Sequence, residues 1–445
     1  MTFLPENVKI IEIISKWNPW FNRKIDSGIL REDYVSKIME YLETDRVITI
    51  TGIRRSGKST IIKQVISGLL SKGIAPKNIL YLNFEEAEFK NLSLELLLKI
   101  YEAYKDIIQP SGIPYIFLDE IQNIEMWERF VRTLNERKEA KLIVSGSNSE
   151  LLSKEYGTIL TGRQLYINVF PLTFSEYLFF HGIEVVAKNN LIVNPQIIRS
   201  EFYKYIKEAG FPEVVLTKNK SLHKEMIMSY LSDITEKDIL LRYNLRKADT
   251  LKSLLHYYLS EFSKSLSFNR ISKFLNATDK TLSEYSYYLS ESNIIFFTKK
   301  FSYKISVQEN SPRKLYVIDL SFPQVEGFNF SSNFGRILEN IVAVNLMIKS
   351  KSHAGLELFY WKDEYNRKEI DFLIKQGKNV KELIQVSWHL SNSKTRKREV
   401  ASLISGLKEF NLNEGLILTE DFDGQENIDS KIIIYKPVWR WLLEE

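Results

Sequence analysis

Val47 to Thr60 reads VITITGIRRSGKST, and this stretch decides the fold. Five β-branched residues form a strand that runs into Gly52. Gly52-Ile53-Arg54-Arg55-Ser56-Gly57-Lys58-Ser59 then matches the pattern G-x-x-x-x-G-K-[ST], and TIIKQVISGLL follows at helical spacing. A strand, a glycine-bounded loop and a helix in that order make a phosphate cradle. Glycine lets backbone N–H groups turn toward phosphate oxygens, and the helix N-terminus adds partial positive charge. The spacing assigns Gly52, Arg54, Arg55, Ser56, Gly57, Lys58, Ser59 and Thr60 to nucleotide contact. Lys58 reaches the outer phosphates, and the Ser59 hydroxyl is a ligand for Mg²⁺.

Working outward, Tyr115 to Glu120 reads YIFLDE. An apolar strand delivers two acids at its C-terminal end, where ligands bind in parallel sheets. Asp119 is the expected Mg²⁺ ligand, and Glu120 is expected to orient the attacking water. A carboxylate at 120 points to hydrolysis and not to binding alone. ILYLNF, KLIVSG and QLYINVF read as further buried strands, so strands alternate with helices and imply a parallel sheet covered on both faces.

The rest of the sequence bounds the class. The chain has 445 residues, enough for several domains, and a formal charge of +5, which permits nucleic-acid binding without arguing for it. It has no cysteine, which excludes disulfides, thiolate metal sites and cysteine nucleophiles and suits a reducing compartment. Five histidines make a histidine-rich metal site a poor expectation. No run is long and apolar enough to span a membrane, and MTFLPENVKI carries no signal-peptide pattern. A cytoplasmic protein with no membrane partner is expected.

The order phosphate loop, LDE strand, SGSNSELLS and LTGRQLYINVFPLTFSEYL resembles the archaeal and bacterial AAA-type ATPases that carry a C-terminal domain of the DUF4143 kind. The resemblance implies ATP and Mg²⁺ as cofactors and adenine over guanine. It implies Ser147 or Asn148 as the residue sensing the outer phosphate. Arg163 is then an arginine finger, in cis or into a neighbouring copy, which makes a homo-oligomer a candidate assembly. Asn18, Pro19, Trp20, Arg31 and Tyr34 match the family's N-terminal approach to the nucleotide. The expected fold is multidomain α/β: a P-loop core with a helical N-terminal segment over 1–174, a helical lid over 175–260, a winged helix over 261–312, and a restriction-endonuclease-like α/β domain over 313–445. Arg242 and Arg246 are candidates for a second sensor, against a solvated helix face.

The winged-helix segment takes Lys280 to Ser290 as its recognition helix and NIIFFTKKFSYKISV as a hairpin wing. Lys280, Thr281, Ser283 and Glu284 suit base readout poorly, while Lys299, Lys300 and Lys304 suit phosphates. The final region is similar to PD-(D/E)xK nucleases, which use a helix glutamate, a strand aspartate and an acid-x-lysine pair around Mg²⁺. Glu339 and Asp371 stand in place, but Gln385 and Ser387 replace the acid and the lysine. Gln is a weak Mg²⁺ ligand and Ser lacks the charge. A vestigial site is expected, with Lys362, Lys368 and Lys394 as the lysines near enough in sequence to compensate. The run Lys394 to Arg398 is the densest basic patch, either a phosphate track or a solvated helix start. Three uses of ATP stay open: action on or with DNA, assembly with protein partners, and ATP-coupled cutting of DNA.

Overall fold

The computed structural model describes residues 6–21, 25–85, 87, 89, 91–146, 162–185, 187–188, 191–192, 194–208, 210–327, 334–363, 365, 367–388, 390 and 393–444. The chain divides into two compact units, Met1–Val169 and Phe170–Glu445.

The first unit carries α1 (Glu6–Trp17), α2 (Glu32–Tyr41), β1 (Val47–Gly52), α3 (Lys58–Ser71), β2 (Ile79–Asn83), α4 (Leu94–Ala103), β3 (Tyr115–Asp119), α5 (Trp127–Glu136), β4 (Lys141–Ser145) and β5 (Gln164–Val169). The strands form one parallel sheet in the order β2-β3-β4-β1-β5. Alternation along the strands sorts the side chains between two cores. Leu80, Leu82, Ile116, Leu118 and Val144 pack against α1, α4 and α5. Ile48, Ile50, Tyr81, Phe117 and Ile143 pack against α2 and α3. Asp119 lies two residues beyond Phe117, so the same parity turns it toward the start of α3, where the phosphate loop ends.

Gly52 closes β1 at φ 146°, and a Cβ there would collide with the Val169 carbonyl. Only glycine fits where β1 passes β5 and the loop begins.

The second unit begins with helices α6 (Phe174–Phe180), α7 (Pro195–Glu208), α8 (Pro212–Leu216), α9 (His223–Asp233) and α10 (Ala248–Ser260). Next come β6 (Lys264–Leu266), α11 (Phe268–Leu275), α12 (Asp279–Glu291), β7 (Ile295–Lys300), α13 (Ile305–Asn310), β8 (Arg313–Val317) and α14 (Ser321–Glu326). The remainder is α15 (Phe334–Ser352), β9 (Leu356–Lys362), β10 (Glu369–Gln376), β11 (Asn379–Ser387), α16 (Ser393–Glu409), β12 (Glu414–Thr419), β13 (Gly424–Ile428), β14 (Lys431–Pro437) and α17 (Val438–Glu444). Nine strands make one mixed sheet in the order β13-β14-β12-β11-β10-β9-β7-β8-β6.

The segments read from sequence as lid, winged helix and nuclease-like domain thus lie in one compact unit, and the last two share a sheet through the parallel pairing of β7 with β9. The expected hairpin NIIFFTKKFSYKISV does not form within that stretch. Its first half is β7, its second half enters α13, and β7 instead pairs antiparallel with β8. The alternating pattern of KKFSYKISV misled the sequence reading, because Tyr303 and Ile305 are exposed and no strand face is buried there.

In α16, Gly406 lies flat on the sheet. A Cβ at that position would meet the Ile370 side chain and come within 3.0 Å of Leu383 Cδ1. Gly406→Leu is expected to overpack this contact and cost ~1–3 kcal/mol, seen as a lower urea midpoint.

Candidate nucleotide site and a buried acidic cluster

The phosphate loop sits at the C-terminal end of β1. Lys58 is buried, and its ammonium donates to the carbonyls of Gly52 at 3.0 Å and Ile53 at 3.2 Å. Ser56 is fully buried, and its hydroxyl has no hydrogen-bond partner among the described residues. An orphaned buried hydroxyl costs free energy unless a ligand completes it, and phosphate oxygens supply such an acceptor. From below, the buried Arg31 guanidinium donates to the Ser56 carbonyl at 2.9 Å and stacks over the Tyr34 ring. Arg31 therefore supports the loop. Arg54 is ion-paired with Glu85 at 2.8 Å, and Arg55 and Thr60 are exposed.

Asp119 is fully buried, and both carboxylate oxygens accept hydrogen bonds. The Ser145 hydroxyl donates to one, and the Tyr81 phenol donates to the other at 2.8 Å. Glu120 follows in the left-handed region at φ 52° and accepts from Gln122 Nε2 at 2.6 Å. Non-glycine residues rarely adopt that conformation, and it is characteristic of functional positions. Burial pushes the Glu120 carboxyl above the usual glutamate range; Lys58 draws it back, and Asp119 adds to the rise. Ser59 and Asp119 present only oxygen donors, the set that suits Mg²⁺, so these residues fit the metal that such a loop implies.

Sequence reasoning missed Tyr81 and Ser145. Tyr81 reads as one more core aromatic in ILYLNF, and Ser145 as the strand end before the candidate sensors. Ser147 and Asn148 lie outside the described residues. Asn18 is not free to meet a base. Its buried amide is spent on the Ile14 carbonyl at 2.6 Å and on both backbone groups of Tyr81, at 2.8 and 2.9 Å. Trp20 is likewise buried, its indole N–H facing the Ile79 carbonyl at 3.4 Å.

Arg163 immediately precedes β5. Its carbonyl accepts from Val47 N at 2.9 Å, and its guanidinium pairs with Glu136 at 2.6 Å. Val47 begins β1, whereas the phosphate loop follows the end of that strand. At ~3.3 Å per residue, the two ends of β1 are roughly 16 Å apart. Arg163 therefore faces away from the phosphate loop of its own chain.

The second unit brings Glu339 and Asp371 together around a lysine that the sequence reading did not nominate. Lys314, from β8, is buried; its ammonium lies 2.9 Å from Glu339, 2.8 Å from Glu369 and 2.7 Å from Asp371. Tyr316 also donates to Glu339, at 2.8 Å. Of the nominated lysines, Lys362 reaches the rim, pairing with Glu369 at 2.8 Å. Gln385 accepts from Asp371 N at 3.2 Å and donates to Glu399 at 2.7 Å. A glutamate at 385 would oppose Glu399, so the neutral amide is the residue this packing requires. Ser387 is buried. Among the described residues, no group of three or more His, Cys, Asp or Glu side chains is arranged to hold a metal.

Three carboxylates share one buried ammonium. Burial, then the Asp371 charge, pushes Glu339 up to about 7, while Lys314 pulls it down. Burial works against the Lys314 charge, but Asp371 and Glu339 hold its pKa well above the ordinary lysine range. Of the cations expected to meet phosphate, Lys299 pairs with Glu309 at 2.5 Å, Arg396 with Glu426 at 3.0 Å, and Arg398 with Glu399 at 3.2 Å through Nε.

A parallel sheet of this order, with a phosphate loop after β1 and paired acids after β3, defines a P-loop nucleotide-binding unit of the AAA class. The profile of an AAA domain matches residues 44–178. Two domains of unknown function, DUF8612 and DUF4143, match 199–323 and 334–439. The uncharacterized protein MJ1544 of Methanocaldococcus jannaschii is 32% identical, with 94% of this chain and 96% of that protein aligned. An uncharacterized protein of Haemophilus influenzae is 28% identical over 94% of this chain and 99% of its own length. The chain belongs to this family of AAA-type ATPases with a C-terminal DUF4143 domain. Among solved structures, the Walker-type ATPase paby2304 of Pyrococcus abyssi is similar at 17% identity and a TM-score of 0.44, with 67% of this chain and 95% of that one covered. No helix among the described residues is long and apolar enough to cross a membrane.

Lys314→Ala leaves the three acids without their cation. The expected loss is ~3–5 kcal/mol near neutral pH, read from urea unfolding. The loss shrinks as pH falls below about 7, where Glu339 takes up a proton. For Glu339 alone the raised folded pKa favours folding below the ordinary glutamate range, and that contribution disappears as pH rises through about 7.

Proposed function

We propose that the chain hydrolyses ATP with Mg²⁺ at the β1–β3 edge. The observation that carries this reading is the orphaned Ser56 hydroxyl inside a phosphate loop whose Lys58 acts electrostatically on Glu120. In this reading Lys58 leaves the Gly52 and Ile53 carbonyls for the outer phosphates. Ser59 and Asp119 hold the metal, which when bound offsets phosphate charge. Glu120 accepts a hydrogen bond from water and orients it for in-line attack. Ser147 or Asn148 is the sensor that the family resemblance suggests. The raised carboxyl of Glu120 implies that turnover falls on the acid side at a pH above the ordinary glutamate value of about 4.3. Lys58→Ala is expected to abolish nucleotide binding, and Glu120→Gln to keep binding and lose turnover; a phosphate-release assay beside a binding titration checks both.

We assign Arg163 to a neighbouring copy's site, because its own site lies at the opposite end of β1. Arg163→Ala is expected to lower turnover by about a thousandfold. Mixed with Lys58→Ala, it regains activity, since one variant supplies the intact loop and the other the finger. A mixture no more active than its parts would place the finger elsewhere.

In the second unit, β6, α11, α12, β7 and β8 follow the element order of a winged helix, and the region from β8 onward that of a degenerate nuclease fold. Lys314 supports the reading that this region binds and does not cut, because its ammonium fills the space between the acids that a divalent ion would need. DNA-associated work is the first use of ATP that follows. The matched cations Lys299, Arg396 and Arg398 favour the second, docking of protein partners through exposed apolar residues such as Phe274, Tyr303 and Ile305. Turnover measured with single-stranded, duplex and branched DNA across a salt series separates them. Stimulation that falls steeply with salt supports DNA, and cleavage lost in Asp371→Ala would restore the nuclease reading.

A further inference from the structure

Tyr81 combines two features that a core aromatic does not need. Its hydroxyl is buried in the sheet, where phenylalanine would pack without any polar cost. Its backbone is gripped by a side chain from outside the sheet. β2 is an edge strand, so the N–H and C=O of Tyr81 have no neighbouring strand on that side. Asn18 takes the strand's place. Its Oδ1 accepts from Tyr81 N at 2.8 Å, and its Nδ2 donates to Tyr81 O at 2.9 Å. The Trp17 and Trp20 rings flank the tyrosine ring at centroid distances of 6.1 and 6.5 Å. The ring therefore has little freedom, and its hydroxyl stands at a fixed point.

At that point it meets an oxygen donor of the expected metal site. A phenol has one hydrogen to give. Tyr81 gives it to Asp119 Oδ2 at 2.8 Å. Ser145 fixes the other oxygen of Asp119.

We propose that Tyr81 is a positioning residue of the nucleotide site, orienting Asp119 for a divalent cation, and that the Asn18 grip makes the N-terminal segment a determinant of cation affinity. The inference rests on reading this edge as a Mg²⁺–nucleotide site. It adds a route by which a change at the N-terminal segment reaches the metal without touching the phosphate loop.

The test uses the full chain and Tyr81→Phe, which keeps the ring in the core; thermal unfolding checks that the fold is retained. A fluorescent ATP analogue is titrated in EDTA and then across a Mg²⁺ series. Losing a hydrogen bond to a charged group should raise the Mg²⁺ concentration for half-maximal binding by roughly tenfold. Affinity in EDTA should stay within about twofold of wild type, since the loop is intact. Asn18→Ala should shift the Mg²⁺ dependence in the same direction. An unchanged Mg²⁺ dependence in Tyr81→Phe, or an equal loss of affinity with and without metal, overturns the inference and leaves the nucleotide reading standing. Wild-type protein whose nucleotide binding ignores Mg²⁺ overturns both.

Discussion

The site in the first unit depends on one buried carboxylate, Asp119, whose two oxygens are met by hydroxyl groups. Taking an ionised acid out of water is costly unless its lone pairs are met. Here two hydroxyls meet them, Ser145 and Tyr81. These neutral donors fix the direction of both carboxylate oxygens. Sheet parity puts it there: Tyr81, Phe117 and Asp119 share the face that α3 covers, and α3 begins with Lys58 and Ser59.

The acids of the second unit solve the same problem in the opposite way. Glu339, Glu369 and Asp371 gather around the Lys314 ammonium, and Tyr316 adds a hydroxyl. A fixed internal cation occupies the space between the three acids. Around it the polar groups are matched in sequence: Asp371 N to Gln385, Gln385 to Glu399, and Glu399 to Arg398. A closed network of this kind favours one packing arrangement. Two acidic sites on one chain thus differ by whether the local donors are neutral or charged.

What the sequence showed and what it hid divide along chain distance. The phosphate loop, the five strands of the parallel sheet and the placement of Asp119 and Glu120 were legible because each is a local pattern with a local cause. Gly52 needs only its own φ and its neighbour Val169 to explain it. Lys314 was hidden because its meaning depends on β8, β10 and α15 meeting, which no local period encodes. The lysines nominated instead were chosen by nearness in sequence, and of them Lys362 pairs with Glu369 at the edge of the cluster. Tyr81 was hidden for another reason. Its role is in one atom, the hydroxyl, and apolar periodicity sees only the ring. Asn18 was legible as noteworthy but not as the clasp of an edge strand.

Arg163 shows how a strand's direction constrains assembly. In a parallel sheet every phosphate-facing residue must come from a C-terminal strand end. Arg163 comes from an N-terminal one, bonded through its carbonyl to the first residue of β1. Its guanidinium is held by Glu136, on the last turn of α5, in a half-exposed surface pair. Exposed pairs of that kind contribute little to stability, so little is lost when the arginine changes partner. The assignment proposed above for Arg163 would bring the start of β5 in one copy to the loop after β1 in the next, a head-to-tail contact that closes into a ring only if the rotation between copies allows.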